Sequence, residues 1–286
     1  MKKINSSIIC ISLFSFLFNY TVTAQEKIVF AKNREIHSMN VDGTNIKQLT
    51  NYKVPGHTPI SCRPSIAKDG TVAYIYDPVR HGWMSTYSMK LNGSQKQRIS
   101  SEPNSKASST WNSVISPDKK HYVFVSTRSK NSEIYRMNAD GSSIINISKS
   151  TAGNGSPKWS PDGKHIIYVE DNAKGGSNII LIDKEGKNRK TLISSTTELR
   201  NVAFSKDGNK IAYALVKGKY ADLMIANSNG KNSRKLKTIS KWSRISFSSD
   251  NTSIAFVAKN NRIATMQLDG GNYKELTSGI DPVWSY

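Results

Sequence analysis

Short hydrophobic runs, each bounded by turn residues, follow one another along the chain from residue 27 to the C-terminus. Two of them, residues 122–125 and 166–169, read Tyr-Val-Phe-Val and Ile-Ile-Tyr-Val. Branched and aromatic side chains in runs of this length, flanked by Gly, Asn, Ser and Asp, are typical of β-strands. No apolar run beyond residue 24 approaches the roughly 20 residues that a membrane span requires. The pattern therefore predicts an all-β domain.

Two tight turns recur in each unit of this pattern. Residues of the types found there tolerate the positive φ of tight hairpins, so each unit is predicted to hold four strands. The first turn is built on an aspartate that recurs at intervals of 49, 44, 45 and 43 residues: Asp69, Asp118, Asp162, Asp207 and Asp250. The second turn is Asn92-Gly93, Asp140-Gly141, Glu185-Gly186, Asn229-Gly230 and Asp269-Gly270.

The two ends of the repeat region complete one further unit. Residues 27–50 supply three strands and residues 281–286 supply the missing first strand. Such a join closes a ring, and units of about 40–45 residues fit one propeller blade each. The sequence predicts an all-β, six-bladed β-propeller closed by pairing of the C-terminal strand with the N-terminal strands. The other blades are expected near residues 63–100, 112–148, 156–194, 201–238 and 244–278.

One repeat carries a family signature. Residues 159–164 read Trp-Ser-Pro-Asp-Gly-Lys, and the strand at 166–168 follows them. This segment, with turns such as Asp140-Gly141, resembles the WD40-like Pro-Asp repeat of TolB-like β-propellers. The resemblance covers residues 27–286 and only the propeller part of that family, so we expect no N-terminal α/β domain of the TolB kind. It implies the propeller fold and a place in the cell envelope.

The N-terminus has the pattern of a secretory signal peptide over residues 1–24. Lys2 and Lys3 precede an apolar stretch at residues 8–18, and small residues precede Gln25. We expect residues 25–286 to form a single exported domain, either periplasmic or secreted to the cell surface, with no transmembrane segment after cleavage. Cys62 is then the one cysteine left, so no internal disulfide forms.

The chain is strongly basic, with 41 Lys and Arg against 21 Asp and Glu. A solvated, soluble surface is one interpretation of this charge, and attraction to anionic envelope material is the other. Export argues against nucleic acid as a partner, and we expect a monomer. A basic outer rim is predicted at Lys187, Arg189, Lys190, Lys231, Arg234, Lys235 and Lys237.

A ring of polar residues is predicted at one mouth of the central channel. Each lies three positions before an apolar residue of the innermost strand, and side chains alternate between the two sides of a strand. The apolar set is Ile66, Ile115, Trp159, Phe204, Phe247 and Trp284, and the polar set is Arg63, Asn112, Ser156, Asn201, Arg244 and Asp281. The polar set is either a wet channel lining or a ring that grips an anionic or sugar-like group.

The longest loops are expected on the same face as this ring. They span residues 51–62 and 76–86, and long loops on a rigid scaffold commonly carry binding sites. We predict that an envelope protein or a glycan docks on this face. The predicted contact residues are Arg63, Arg80, His81, Trp83, Asn112, Asn201, Arg244 and Asp281.

Catalytic signals are sparse, and the sequence predicts no catalytic residues and no cofactor. Neither an HExxH pair nor a Gly-x-Ser-x-Gly elbow is present. One alternative is a metal site at His57, His81 and Asp77, as in a metal-dependent lyase that resembles the oligogalacturonate lyases. The other is a basic peripheral protein held by anionic envelope material.

Overall fold

A computed structural model describes residues 25–79, 83–101 and 109–286. Over these ranges the chain folds into 24 β-strands in six four-stranded antiparallel sheets, with no helix. Blade 1 consists of β24 (Ile280–Trp284), β1 (Lys27–Lys32), β2 (Glu35–Asn40) and β3 (Lys47–Gln48). Blade 2 consists of β4 (Ile60–Ile66), β5 (Val72–Asp77), β6 (Ser85–Met89) and β7 (Gln97–Arg98). Blade 3 consists of β8 (Trp111–Ile115), β9 (His121–Ser129), β10 (Asn131–Asn138) and β11 (Ile145–Asn146). Blade 4 consists of β12 (Asn154–Trp159), β13 (His165–Asp171), β14 (Ser177–Asp183) and β15 (Lys190–Ser195). Blade 5 consists of β16 (Leu199–Phe204), β17 (Lys210–Lys217), β18 (Tyr220–Asn227) and β19 (Arg234–Ser240). Blade 6 consists of β20 (Ser246–Phe247), β21 (Ser253–Val257), β22 (Arg262–Gln267) and β23 (Lys274–Ser278).

The six innermost strands form a closed ring. Strands β24, β4, β8, β12, β16 and β20 each contact the next, and β20 returns to β24. The ring closes because β24 pairs with β1, with Trp284 opposite Ile28 and Val283 opposite Val29. The predicted six-bladed propeller and its closure by the C-terminal strand are confirmed.

The aspartate turn between the first two strands of a blade is held by a repeated set of hydrogen bonds. In blade 4 the Ser160 hydroxyl donates to Asp162 Oδ1 over 2.5 Å, and the Lys164 amide donates to the same oxygen over 3.0 Å. Ser160 Oγ also accepts from the His165 amide at 2.9 Å. Side-chain bonds of this kind satisfy backbone donors in a turn that has no ladder partner. The same Ser–Asp bond recurs in blades 3, 5 and 6.

The glycine of the second turn touches the preceding blade. A Cβ on Gly186 would lie 2.5 Å from the carbonyl oxygen of Ile147, and one on Gly230 would lie 2.2 Å from that of Leu192. Both glycines have positive φ, 79° and 84°. The glycine therefore meets two demands, because it permits a left-handed turn and lets neighbouring blades approach closely.

The core lies between the blades. The Trp159 ring of blade 4 packs with Val114, Val123 and Ile134 of blade 3, and its Nε1 donates to the Val114 carbonyl at 3.1 Å. The predicted apolar positions are buried in five blades, and Phe204 is half-buried. Packed blade interfaces fix the angle between neighbouring sheets, and so fix where the inner strands converge.

Gly186→Ala should destabilise the fold more than Gly175→Ala does. The two glycines share a blade and have φ values of 79° and 76°, but a Cβ on Gly175 meets nothing within 4 Å. Gly175→Ala should cost roughly 1–2 kcal/mol of left-handed strain. Gly186→Ala should cost roughly 1–3 kcal/mol more, since its methyl group meets backbone of the preceding blade. Denaturant unfolding of both variants measures the difference, and equal losses would contradict the close-approach explanation.

The aspartate turns should make the protein sensitive to acid. Burial raises the pKa of Asp162, but hydrogen bonds from Ser160 and the Lys164 amide outweigh it and leave the pKa below the ordinary 3.8. The pKa of Asp118, Asp207 and Asp250 is also lowered. A carboxyl whose pKa is lower in the folded chain stabilises the fold above its unfolded pKa and loses that contribution as pH falls through the folded value. Asp162→Asn should therefore show a smaller loss of unfolding free energy between pH 6 and pH 3 than the unaltered protein.

Candidate functional site

The predicted polar ring forms at one mouth of the channel, on a repeated backbone irregularity. Five of its six members have a left-handed backbone, and in each of these blades the pairing of the innermost strand shifts register at that residue. The five are Arg63 (φ 55°), Asn112 (48°), Ser156 (55°), Asn201 (51°) and Asp281 (56°). A bulge adds one residue to the strand and re-aims its side chain. Simple alternation, on which the prediction relied, is therefore wrong at these positions, although the ring residues do gather at one mouth.

A sequence signal for these bulges exists. Proline follows the ring residue in three blades, at Pro64, Pro157 and Pro282, inside what is otherwise a strand. Because proline cannot donate to a sheet ladder, its presence within a strand marks an edge or a bulge.

Arg244, the sixth member, spans the mouth. Its Nη2 donates to Asn112 Oδ1, and its Nε lies 3.3 Å from Asp281 Oδ1. Arg244 comes from blade 6 and Asn112 from blade 3, directly across the ring. The side chains of Arg244 and Asp281 are 9% and 11% exposed. Burial lowers the pKa of Arg244, and the Asp281 carboxylate offsets part of that shift. The guanidinium therefore forms a bar across the channel, and both charges serve to hold the mouth.

Further hydrogen bonds join neighbouring ring residues. The Arg63 amide donates to Asp281 Oδ2 at 3.1 Å, and the Asn201 amide donates to Ser156 Oγ at 3.3 Å. The side chains of Arg63, Asn112, Ser156 and Asn201 stay partly exposed. The groups available to a ligand at this mouth are thus one arginine and small polar side chains.

Two tryptophans are exposed on loops of this face. Trp83 is 43% exposed, just before β6, and Trp242 is 66% exposed, in the connection between β19 and β20. The Arg200 guanidinium lies 3.9 Å from the Trp242 ring centroid. Glu198 pairs with Arg200 and lies 3.5 Å from the Lys241 ammonium. Sequence reasoning missed Trp242 because its connection is short, although a tryptophan in a polar loop is itself a signal.

The structure places two of the three predicted metal ligands, His57 and Asp77. Within the described ranges no three His, Cys, Asp or Glu side chains are placed to share a metal ion. Asp77 is buried and accepts a 3.2 Å hydrogen bond from the Val79 amide, whereas His57 is exposed. Arg80 and His81 lie outside the described residues, so the structure does not place them. Burial raises the pKa of the Cys62 thiol to about 11, which keeps it protonated at neutral pH.

The predicted basic rim is partly neutralised within the fold. Arg189 pairs with Glu170 at 2.5 Å, and Lys235 pairs with Asp222 at 2.8 Å. The Lys237 ammonium lies 3.8 Å from the ring centroid of Tyr273. The rim lysines that are exposed and have no ion-pair partner among the described residues are Lys187, Lys190 and Lys231.

Within the described ranges the chain has no helix of the length and hydropathy needed to cross a bilayer.

Comparison with known protein families agrees with the β-propeller architecture. Residues 80–243, more than half of the chain, match the TolB β-propeller domain. The chain belongs to the TolB β-propeller family. Among curated relatives, an uncharacterised protein of Agrobacterium fabrum is 25% identical over 151 residues, 49% of this chain and 50% of its own length. The Tol-Pal system protein TolB of Desulfosudis oleivorans is 33% identical over 98 residues, 34% of this chain and 19% of that protein.

The same fold is present in a solved TolB structure. TolB from Acinetobacter baumannii superposes with a TM-score of 0.75 at 21% identity. The superposition covers 91% of this chain and 66% of that protein. This TolB-family chain therefore spans half or less of the two curated relatives and about two thirds of the solved TolB.

Removing the arginine bar should destabilise this TolB-family propeller. Arg244→Ala leaves the Asp281 carboxylate buried without its ion partner, which should lower the free energy of unfolding by about 3 kcal/mol. The double variant Arg244→Met, Asp281→Asn should lose less, because no unpaired charge remains. Urea unfolding measures both, and a double variant less stable than Arg244→Ala would contradict this account.

Proposed function

We propose that the protein is an exported, non-catalytic scaffold of the cell envelope, and that a partner protein docks on the face that carries the arginine bar. The observation that carries this proposal is the pair of exposed tryptophans on the loops around the partly exposed mouth. Trp242 and Trp83 supply large apolar surfaces on loops of this face, and Arg63 supplies a charge at the mouth. Tryptophan and arginine are the residue types that most often dominate binding energy at protein interfaces.

The arrangement of the mouth favours binding over catalysis. Its charged groups bond to one another, with Arg244 against Asp281 and the Arg63 amide on the same carboxylate. Those bonds hold a shape, and they leave neither charge poised to activate a nucleophile or to move a proton. A preorganised surface binds with a small conformational cost, because its side chains are already ordered.

Export is proposed from the signal-peptide pattern of residues 1–24, which lie outside the described residues. Membership of the TolB β-propeller family and a relative described as a Tol-Pal system protein support a place in the envelope. A glycan is the alternative occupant of the same face. The exposed Lys187, Lys190 and Lys231 support a weaker alternative, in which charge alone holds the protein to anionic material.

Trp242→Ala should reduce partner capture from native envelope extracts at least tenfold, the effect expected of one interface anchor. Tyr273→Ala is the matched control, since Tyr273 is an exposed aromatic beside the hairpin turns of the opposite face. Arg63→Asn tests the mouth itself, because asparagine tolerates the left-handed backbone and removes the charge. Crosslinking followed by mass spectrometry measures capture, and melting temperatures confirm folding.

Equal losses in the tryptophan and tyrosine variants would contradict docking on this face. Capture that collapses between low and moderate salt in all variants alike would favour attachment by charge alone. Capture of a polysaccharide in place of a protein would favour the glycan alternative.

A further inference from the structure

A small cavity lies inside the channel, beneath the arginine bar. Its volume is about 90 Å³, room for a few water molecules or one small oxyanion. Each blade contributes to the cavity wall the residue that lies two positions after its ring residue. Five of these six residues have small, uncharged side chains. The six are Ser65, Val114, Lys158, Ala203, Ser246 and Val283. Lys158 is thus the one charged member of a layer that the other blades keep neutral.

The Lys158 ammonium has no protein partner among the residues the structure describes. No hydrogen bond or ion pair to its Nζ is formed there, and no Asp or Glu side chain lines the cavity. Burial is the main reason that the pKa of Lys158 falls to about 7, and the nearby Arg244 charge acts in the same direction, while Asp281 opposes it. A largely desolvated ammonium without an acceptor is costly, and an acceptor bound in the cavity would offset that cost.

A second lysine lines the same cavity. Lys206 Nζ donates to the Trp284 carbonyl at 3.3 Å and lies 3.5 Å from the Tyr286 ring centroid. Burial lowers the pKa of Lys206 to about 8, and Glu26 partly opposes that shift. An ammonium has three donors, so Lys206 keeps donors free for an acceptor in the cavity.

Entry to the cavity is from the face opposite the proposed docking surface. Arg244 crosses the channel on the docking side through its contacts with Asn112 and Asp281. The other mouth is bounded by Pro117, Pro161 and Tyr286. A ligand of this cavity is therefore small and separate from a partner on the arginine-bar face.

We propose that the channel binds one small oxyanion, a phosphate or a small carboxylate, held between the ammonium groups of Lys158 and Lys206. The anion supplies the acceptor that Lys158 lacks and neutralises two like charges that line the same small cavity. Charge-assisted hydrogen bonds in such surroundings are stronger than those between neutral groups. The size of the cavity favours a free anion over a sugar ring or a folded chain.

Calorimetry and thermal unfolding with inorganic phosphate and, separately, with acetate test this proposal at pH 6. One of the two anions should bind with one-to-one stoichiometry and raise the melting temperature. Lys158→Met and Lys206→Met should each weaken that binding at least tenfold. Without anion, Lys158→Met should melt above the unaltered protein, because the unpaired charge in the cavity is gone. Lys231→Met, at an exposed outer lysine, is the matched control and should bind normally.

Retention of normal binding by Lys158→Met would overturn the proposal, as would an absence of binding by both anions. An equal melting shift in sodium chloride of the same ionic strength would also overturn it, since it would reveal general screening. If Lys158→Met does not fold, Lys158→Gln provides the same comparison with a polar side chain. The stronger of the two anion responses identifies whether phosphate or carboxylate is the preferred class.

Discussion

Antiparallel pairing of β24 with β1 is the constraint on which the rest of the molecule depends. It joins the two ends of the described chain, and Ser285 reinforces it by accepting a 2.8 Å hydrogen bond from the Lys27 amide and donating its own amide to the Lys27 carbonyl at 2.8 Å. Strand β24 is the innermost strand of its blade, so the pairing also sets one sixth of the channel wall. Asp281 lies on that strand and meets Arg244 of blade 6 and the Arg63 amide of blade 2. The strand pairing that closes the ring therefore also places Asp281 at the mouth, where it contacts blades 2 and 6.

The blades were predictable because the interactions of their turns recur at fixed positions of the repeat. A Ser-x-Asp turn such as Ser160 to Asp162 satisfies its own backbone donors, and a turn glycine such as Gly186 meets the blade beside it. Each of these two turns requires a particular residue type at a fixed position, so the repeat can be recognised in a single sequence without an alignment. The polar ring was predictable from the same register. Its bulges were missed because alternation was applied through Pro64, Pro157 and Pro282, where a proline inside a strand should have interrupted it.

Other features of the candidate site depend on contacts that no repeat encodes. Arg244 reaches Asn112 across the ring, between residues 132 positions apart. The Trp242 ring lies under Arg200, which comes from the inner strand of the preceding blade. Lys158 occupies a position that is small or apolar in most blades, and its charge matters only because six strands enclose it. The position of each residue in the repeat predicted the blade to which it belongs. It did not predict which residue of another blade it would contact.

The arginine bar divides the channel into two regions with different chemistry. Toward the long loops, a paired and buried charge supports a rim of partly exposed polar residues and exposed tryptophans. Beneath it, Lys158 and Lys206 face a small cavity without an Asp or Glu side chain in its lining. Arg244 is near enough to Lys158 to lower its pKa, and Asp281 is near enough to oppose that effect. The Arg244–Asp281 pair, which holds the mouth on one side, thus also acts on the charge of Lys158 on the other side.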